Sequence, residues 1–558
     1  MSSRSATLLN QEQRRVTLGQ VWAIFAPWRW VLLGALVSVI ASAGLNLVPP
    51  LIVRRLLDEN IKLGQVQGLM SLAVLYLGAT AAGYLLGFVT TYLTTLAAQG
   101  ALRQLRVRLF AHLQQLPISY YDRTPLGDVI SRCTADIDTI NTLFSSGLIN
   151  VLGQLLRLVS TFVAMVALSP FLSGVMIIVV PFLFKVTRIF QVRMREAARA
   201  TRHAIGELNA RLQETLTGIE VIRAFHWQFA FVQRFRRALQ QALRVGNRAI
   251  GYGSVYSPFM NILSATVIAL LFWLGTSPTF ATTNISIGTL TAFVLLFQRF
   301  FDPIISIGND WQVLQNALAG IERVFQILAL PTDAALWQER LDSQEDVQPS
   351  TTRDAATANA PLVEVVRLSF GYGSGQRVLT NVSLSASAGE HVAIVGRTGA
   401  GKSSLFHLLG GLYQPWSGTI RLAGRDPYAL SARERRHVMG AVPQWVQLFS
   451  GTVADNLTLG GHDIDREAVE RAARIAGADD FVRTLPQGYD TPISDQSRGS
   501  GTQISAGQRQ LLALARALVA DASVLVMDEP LAHVDEAGAA QYWEIIRNYI
   551  SRTGASLV

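Results

Sequence analysis

GRTGAGKS, Gly396–Ser403, decides the reading of this chain. The spacing fits GxxxxGK[ST], a loop whose backbone amides can surround phosphate groups. HVAIV, His391–Val395, stands just before it as a short apolar run suited to a buried parallel strand, and Lys402–Leu409 just after reads as the first turns of a helix. In that order, Gly396, Gly399 and Gly401 allow close backbone approach. The amides of Arg397, Thr398, Ala400 and Ser404, with the helix N-terminus, favour negative charge. Lys402 can reach the β- and γ-phosphates of a nucleotide, and Ser403 can ligate magnesium.

The rest of the chain does not look like a soluble enzyme. Its 558 residues are 50% hydrophobic and only 16% charged, too long for one domain and too apolar to be wholly soluble. The stretches Val31–Val53, Leu63–Leu102, Leu158–Phe184 and Ala249–Gln298 contain no charged residue. About 20 apolar residues span a bilayer, so these stretches hold several spans. Pro, Gly and polar breakers divide them into six expected helices: Val31–Pro49, Leu69–Thr91, Leu148–Leu168, Phe171–Phe190, Pro258–Gly275 and Ile287–Ile305. Met1–Thr17 is polar and the first apolar run is a full span, which argues against a cleaved signal peptide.

Charge sets the orientation. Between Lys185 and Arg248 there are thirteen Lys or Arg against four Glu, the basic excess of a cytoplasmic segment. The net charge of +9 is therefore assigned to membrane topology and not to nucleic acid, since basic and aromatic residues do not interleave as in a nucleic-acid groove. The N-terminus and the phosphate-loop region are expected to share that side, in the cell membrane of a bacterium. Two long cytoplasmic segments, Gln99–Asn141 and Lys185–Arg248, are expected to be helical. In the first, Thr124, Pro125 and Gly127 should end one helix and start another. The sole cysteine, Cys133, cannot form an intrachain disulfide.

The domain boundaries follow from composition. Residues 1–30 are an N-terminal cytoplasmic segment, 31–328 a six-helix transmembrane domain and 329–361 a linker rich in Asp, Glu, Ser, Thr, Ala and Pro. Residues 362–558 carry a soluble α/β pattern. The expected fold class is an all-α membrane domain followed by an α/β phosphate-loop domain.

Within that second domain VLVMDE, Val524–Glu529, is an apolar strand ending in two carboxylates. Beside the phosphate loop, Asp528 can hold magnesium through water and Glu529 can polarise an attacking water. ISAGQRQLLALARAL, Ile504–Leu518, is a small polar turn opening a long amphipathic helix, which by itself reads as ordinary helix capping. Taken with GRTGAGKS and VLVMDE in this order, it resembles the nucleotide-binding domain of ABC transporters. DRTPLGDVISR, GIEVIRAF and GTLTAFVLLFQRFFDPI extend the resemblance to ABC exporter half-transporters over nearly the whole chain.

That resemblance implies ATP and Mg2+ as cofactors and an ATP hydrolase that drives transport. It implies that Tyr372 stacks on adenine and that Gln444 approaches magnesium and links the site to cytoplasmic coupling helices. Ser505, Gly507 and Gln508 would cap the γ-phosphate of ATP on a second subunit, and Asp535 would lie in the loop between the two sites. Tyr121–Gly127 and Thr215–Ile222 would form the docking surface. Departures from the family pattern are ISAGQ in place of LSGGQ, the stretch SDQSRGSGTQ, and Pro530, Leu531 and His533 after Glu529. They favour a heterodimer in which Glu529 serves the active site, with a homodimer tolerating Ala506 as the other reading. ASLV, Ala555–Val558, falls where the family continues into a histidine that contacts the γ-phosphate, so a chain truncated there is expected.

Three functions remain open: an exporter of a drug, lipid or peptide, an ATP-gated channel or regulatory membrane protein, and a membrane-anchored kinase. Arg157, Gln298, Arg299 and Asp302 lie within spans, and none selects a substrate.

Overall fold

The computed structural model describes residues 23–62, 68–276, 285–333, 361–373, 375–428, 430–461, 464–493, 502, 504–530, 536–553 and 556–557. The body of the expected linker, Asp535, Leu531 and His533 lie outside the described residues, as does most of SDQSRGSGTQ. The first helices are α1, the helical run Ala23–Ile61, α2 at Leu69–Leu113, α3 at Ile118–Arg123 and α4, the run Leu126–Leu168. They are followed by α5 at Pro170–Thr217, α6 at Ile219–Ala224, α7 at Gln228–Thr276 and α8 at Ile287–Leu328. Two compact units form. One holds Arg15–Leu109 with Ile130–Ile327, and the other holds Phe110–Val129 with Leu328–Val558.

Among the described residues of the first unit, five helical runs are long and apolar enough to cross a membrane, and Ile287–Phe301 is a shorter apolar helix. With 48 residues in α5 and 49 in α7, each is about 70 Å long at 1.5 Å per residue, more than twice a bilayer core. The segment Lys185–Arg248, expected to be cytoplasmic, is therefore largely built from continuations of the apolar helices α5 and α7. α5 and α7 pack together, and Leu172, Met176, Leu183, Met260, Phe293 and Phe297 sit in the fully covered core of the unit.

The turn at Ser169 and Pro170 is formed as expected: Ser169 is the N-cap, its Oγ accepts from the amide of Leu172 at 3.4 Å, and Pro170 opens α5. Pro258 lies inside α7, so the helix expected to open there begins earlier, at Gln228; a long helix packed along its length tolerates one missing hydrogen bond. The first helix ends close to the expected Pro49, at Leu45 with Asn46 as its C-cap. Pro49 and Pro50 belong to the first turn of the helical segment that follows, Val48–Arg55, where amide protons are not needed.

That proline pair leaves a polar group to satisfy. In a continuous helix the carbonyl of Asn46 would accept from residue 50, and residues 49 and 50 have no N–H to give. Arg299 on α8 supplies the donor through Nη1. Sequence reasoning had offered Asp302 as its partner, and the side chain of Asp302 is outside the described residues. Arg157 is exposed in the single chain. Replacing Arg299 with Met should lower stability by about 1–3 kcal/mol, the cost of an unsatisfied buried acceptor. Adding Pro50→Ala, which restores the amide, should recover part of it in a thermal-unfolding measurement in detergent; an unchanged Tm in Arg299→Met would contradict this role.

Among the described residues the second unit contains three sheets, the smallest a two-stranded antiparallel pairing of Gly451–Thr452 with Pro492–Ile493. β1 (Val363–Phe370), β2 (Leu379–Ala386) and β3 (Ser417–Leu422) form an antiparallel sheet in the order β2-β1-β3. Helix α9 (Lys402–Leu409) buries Leu405, Leu408 and Leu409 in a cluster with these strands. β4 (Met439–Val442), β5 (Val524–Met527) and β6 (Ser556–Leu557) are parallel, in the order β4-β5-β6. A helical part includes α10 (Arg466–Ile475) and α11 (Ala506–Leu518), packed on each other around Val469, Ala473, Leu512 and Ala515.

The expected strand at His391–Val395 is not formed. These residues have no ladder partner beyond a single bridge residue, and Val395 is 89% exposed. An apolar run becomes a strand only where a neighbour supplies hydrogen bonds. Among the described residues β6 pairs with β5 through Val524 and Leu525. Val526 and Met527 instead face a cavity of ≈ 350 Å³ that His391–Ile394 lines from its other side, together with Trp543.

Candidate nucleotide site

The phosphate loop is built by two glycines in the left-handed region, Gly399 at φ 85° and Gly401 at φ 96°. A side chain at either would be strained. At Gly401 a Cβ would also fall 2.6 Å from Leu379 Cδ2. Gly396–Ala400 are exposed, so the loop amides face solvent. Gly401 is the N-cap of α9, which begins at Lys402 as the sequence predicts. Lys402 Nζ donates to the carbonyl of Gly396 at 2.8 Å, which holds the cation across the mouth of the loop.

The carboxylates arrive from the parallel sheet. β4 and β5 pair in register from Met439↔Val524 to Val442↔Met527, and the amide of Asp528 donates to the carbonyl of Val442 at 3.0 Å. Chain reversal after β5 puts Glu529 in the left-handed region at φ 47°, a costly conformation for a residue with a side chain. Gln444, two residues beyond β4, then donates from Nε2 to Glu529 Oε2 at 2.8 Å. Loops after adjacent parallel strands thus join the two residues that sequence reasoning assigned to the base and to its link with the membrane. Asp528, Glu529 and Lys402 border the same cavity.

Comparison with known families agrees with this geometry. The family described as ABC transporter transmembrane region matches residues 32–304, and the family described as ABC transporter matches residues 379–532. The chain is 31% identical over 497 residues to the fatty acid ABC transporter ATP-binding/permease protein of Mycobacterium bovis, covering 88% of this chain and 73% of that protein. It is 28% identical over 521 residues to the ATP-dependent lipid A-core flippase of Haemophilus influenzae, covering 93% and 86%. It is 29% identical over 523 residues to the uncharacterized ABC transporter ATP-binding protein YfiC of Bacillus subtilis, covering 93% and 83%. This chain belongs to the ABC transporter family.

It is an exporter-type ABC half-transporter, a multi-pass membrane protein in which one transmembrane region precedes one ATPase domain that hydrolyses ATP to drive transport. A half-transporter works with a second half. ISAGQ, which the resemblance implies to be the signature, opens α11, where Ser505 Oγ accepts from the amide of Gln508 at 3.2 Å and Gln508 Oε1 accepts from the amide of Ser505 at 3.0 Å. This reciprocal cap is the ordinary helix start also read from the sequence, and it fixes the loop rigidly. A Cβ at Gly507 would meet nothing within 4 Å, so the space above the helix N-terminus is open.

Tyr372 follows β1 and is 41% exposed, which removes the reading of it as a core tyrosine. Its hydroxyl lies 3.0 Å from Ser404 Oγ on α9, within hydrogen-bond reach. Its ring meets Phe370 and Tyr413 edge-on at centroid distances of 5.1 and 5.4 Å.

Sequence reasoning missed Arg516. From α11 it donates Nε to the carbonyl of Asn456 at 2.8 Å and both Nη atoms to that of Gln447, at 3.2 and 3.3 Å. Burial pushes its guanidinium below the ordinary value. It ties the signature helix to the loop that follows Gln444. An arginine amid LLALARAL, on a helix otherwise apolar toward the core, was the available signal.

Magnesium fits the donors present. Ser403, Asp528 and Gln444 provide a hydroxyl, a carboxylate and an amide oxygen. No cluster of three or more His, Cys, Asp or Glu occurs among the described residues. Mg2+ in nucleotide sites takes one or two carboxylates together with phosphate and water oxygens, so a cage made only of protein is not required.

Proposed function

We propose that this half-transporter exports an amphipathic, lipid-like molecule across a bacterial cell membrane, with its N-terminus and ATPase domain in the cytoplasm. The observation that carries the reading is the union in one chain of membrane helices that continue unbroken for 45–49 residues and a phosphate loop with Lys402, Gln444 and Glu529 assembled beside it. The fatty acid transporter and the lipid A-core flippase among its relatives support the substrate class.

At the ATP site the glycine loop and Lys402 hold the phosphates, and Tyr372 supports the adenine. Ser403, Asp528 and Gln444 would hold Mg2+, which when bound would neutralise phosphate charge. Glu529 takes the proton of the attacking water, oriented by its hydrogen bond from Gln444. Ser505, Gly507 and Gln508 close over nucleotide bound to the partner, and Asp535 serves the passage between the two sites.

The partner is a different half-transporter. Glu529 gives this chain the base, while Ala506 adds a methyl group where its signature approaches phosphate, so ISAGQ completes the weaker of two sites. Purified alone, the chain should show little lipid-stimulated ATPase activity; with a half-transporter that lacks the glutamate base but carries an intact signature, activity should appear. Full lipid-stimulated activity in a homodimer would remove the heterodimer reading.

A further inference from the structure

The apolar half of α4, Leu148–Leu168, has two unlike faces. Leu152, Leu155, Val159, Val163 and Val166 recur at steps of three and four residues, are all exposed, and form one apolar stripe. Asn150, Gln154, Arg157 and Thr161 recur at the same steps and fall on the opposite side of the helix.

The polar side is the packed one. Gly153, one turn before Arg157, and Thr161 and Met165, one and two turns after it, are buried. A Cβ at Gly153 would fall 3.4 Å from Val39 Cγ1, so α1 closes on this face. Met165 belongs to the covered core that it shares with Leu172 of α5, Met260 of α7 and Phe293 of α8. Arg157 is nevertheless exposed. It opens onto a gap between helices, on the side away from the apolar stripe. Exposure along the polar residues has a direction: Asn150 is exposed, Gln154 half-buried, and Thr161 only 2% exposed. The gap is open toward Asn150, the end that continues into the segment expected to be cytoplasmic, and closed at Thr161.

Arg157 stands near the middle of these 21 residues. Its guanidinium stays charged at any physiological pH, and a charge at that depth is costly unless it faces water, a partner or a ligand. Among the described residues it has no carboxylate, hydrogen-bond or aromatic partner. Arg299, also within a span, is by contrast engaged with the carbonyl of Asn46. A permanent cation held mid-span, on the packed face and without a counter-charge, suits an anion that enters from outside the chain.

We propose that Arg157 binds the anionic headgroup, a carboxylate or a phosphate monoester, of the molecule this chain exports, and that the polar face from Asn150 admits that headgroup from the cytoplasmic side. The proposal rests on the lipid-like reading of the substrate and adds to it the charge of the headgroup and the residue that reads it.

Binding of cis-parinaric acid, a fluorescent fatty acid, and of its methyl ester to the purified full-length chain in phosphatidylcholine nanodiscs, measured against nanodiscs without protein, separates the charge from the acyl chain. Lysophosphatidic acid and the monoacylglycerol of equal chain length, as competitors, make the same comparison for a phosphate. The charged member of at least one pair should bind about tenfold or more tightly than its neutral counterpart, and a preference in one pair only identifies the headgroup as carboxylate or phosphate. Arg157→Gln should lower the charged probe to the affinity of the neutral one, and Arg157→Lys, which keeps the charge, should retain most of the preference. ATP affinity should be the same in all three proteins, which reports that the variants are folded. The comparison within the unmodified chain needs no variant to fold. Equal affinity for the charged and neutral members of both pairs, or a full preference surviving in Arg157→Gln, would overturn the role of Arg157 and leave the lipid-like reading standing. Binding of no member of either pair would remove that reading and this proposal with it.

Discussion

Replacing Glu529 with Gln stops steady-state ATP turnover, by about 10²–10⁴-fold, the contribution usual for a positioned general base, and leaves nucleotide trapped on the protein. The substitution isolates chemistry from structure. Glutamine has the same length, tolerates the left-handed backbone at φ 47° as well as glutamate does, and still offers an oxygen to Gln444 Nε2, which now stands 2.8 Å from Glu529 Oε2. What it lacks is a group able to take a proton from water. The site therefore remains assembled and can bind ATP, but the reset by hydrolysis fails. The test is paired: turnover with the functional partner present, and retention of labelled nucleotide after gel filtration. Undiminished steady-state ATPase would remove Glu529 from the role of base.

Loss of Lys402 acts earlier, on binding. Its ammonium is held by the carbonyl of Gly396 at 2.8 Å, across a loop whose exposed amides face the same solvent. A charge-assisted contact of this kind contributes about 1.5–3 kcal/mol. Lys402→Ala should therefore weaken ATP binding by about ten- to a hundredfold in a fluorescent-nucleotide titration. Arginine should not rescue it, because a planar guanidinium fork cannot occupy the place of a compact ammonium between Gly396 and the phosphates. Unchanged affinity in Lys402→Ala would show that the loop amides alone carry the phosphate contacts.

What could be read from the sequence was local. The helix beginning at Lys402, the cap of Ser505 on Gln508, the strand Val524–Met527 and the turn at Ser169 each depend on residues within a few positions of one another. The misreadings share the opposite property. His391–Val395 has the right composition for a strand, but strand formation depends on a neighbour distant in sequence. Pro258 carries the local signal of a helix end, and whether a helix continues through a proline depends on what packs around it and satisfies the freed carbonyl.

The same distinction divides the candidate site. Gln444 and Glu529, 85 positions apart, were placed together only through resemblance to a family, and the register of β4 on β5 gives the physical reason they meet. Arg516 with Gln447, 69 positions apart, had no such guide. Its guanidinium finds partners across the fold, in contacts that periodicity cannot encode. Arg299 is similar: the proline pair announces an unsatisfied carbonyl at Asn46, but the sequence does not say which of the span arginines answers it.

The central claim is that hydrolysis at Glu529 drives a lipid-like molecule out of the cell through these helices. Uptake of a fluorescent fatty acid or phospholipid into inside-out vesicles containing the chain and its partner tests this most directly. The account predicts accumulation with Mg-ATP, none with a non-hydrolysable ATP analogue, and none in Glu529→Gln. Accumulation that persists in Glu529→Gln, or an ion conductance opened by ATP binding with no lipid movement, would contradict it.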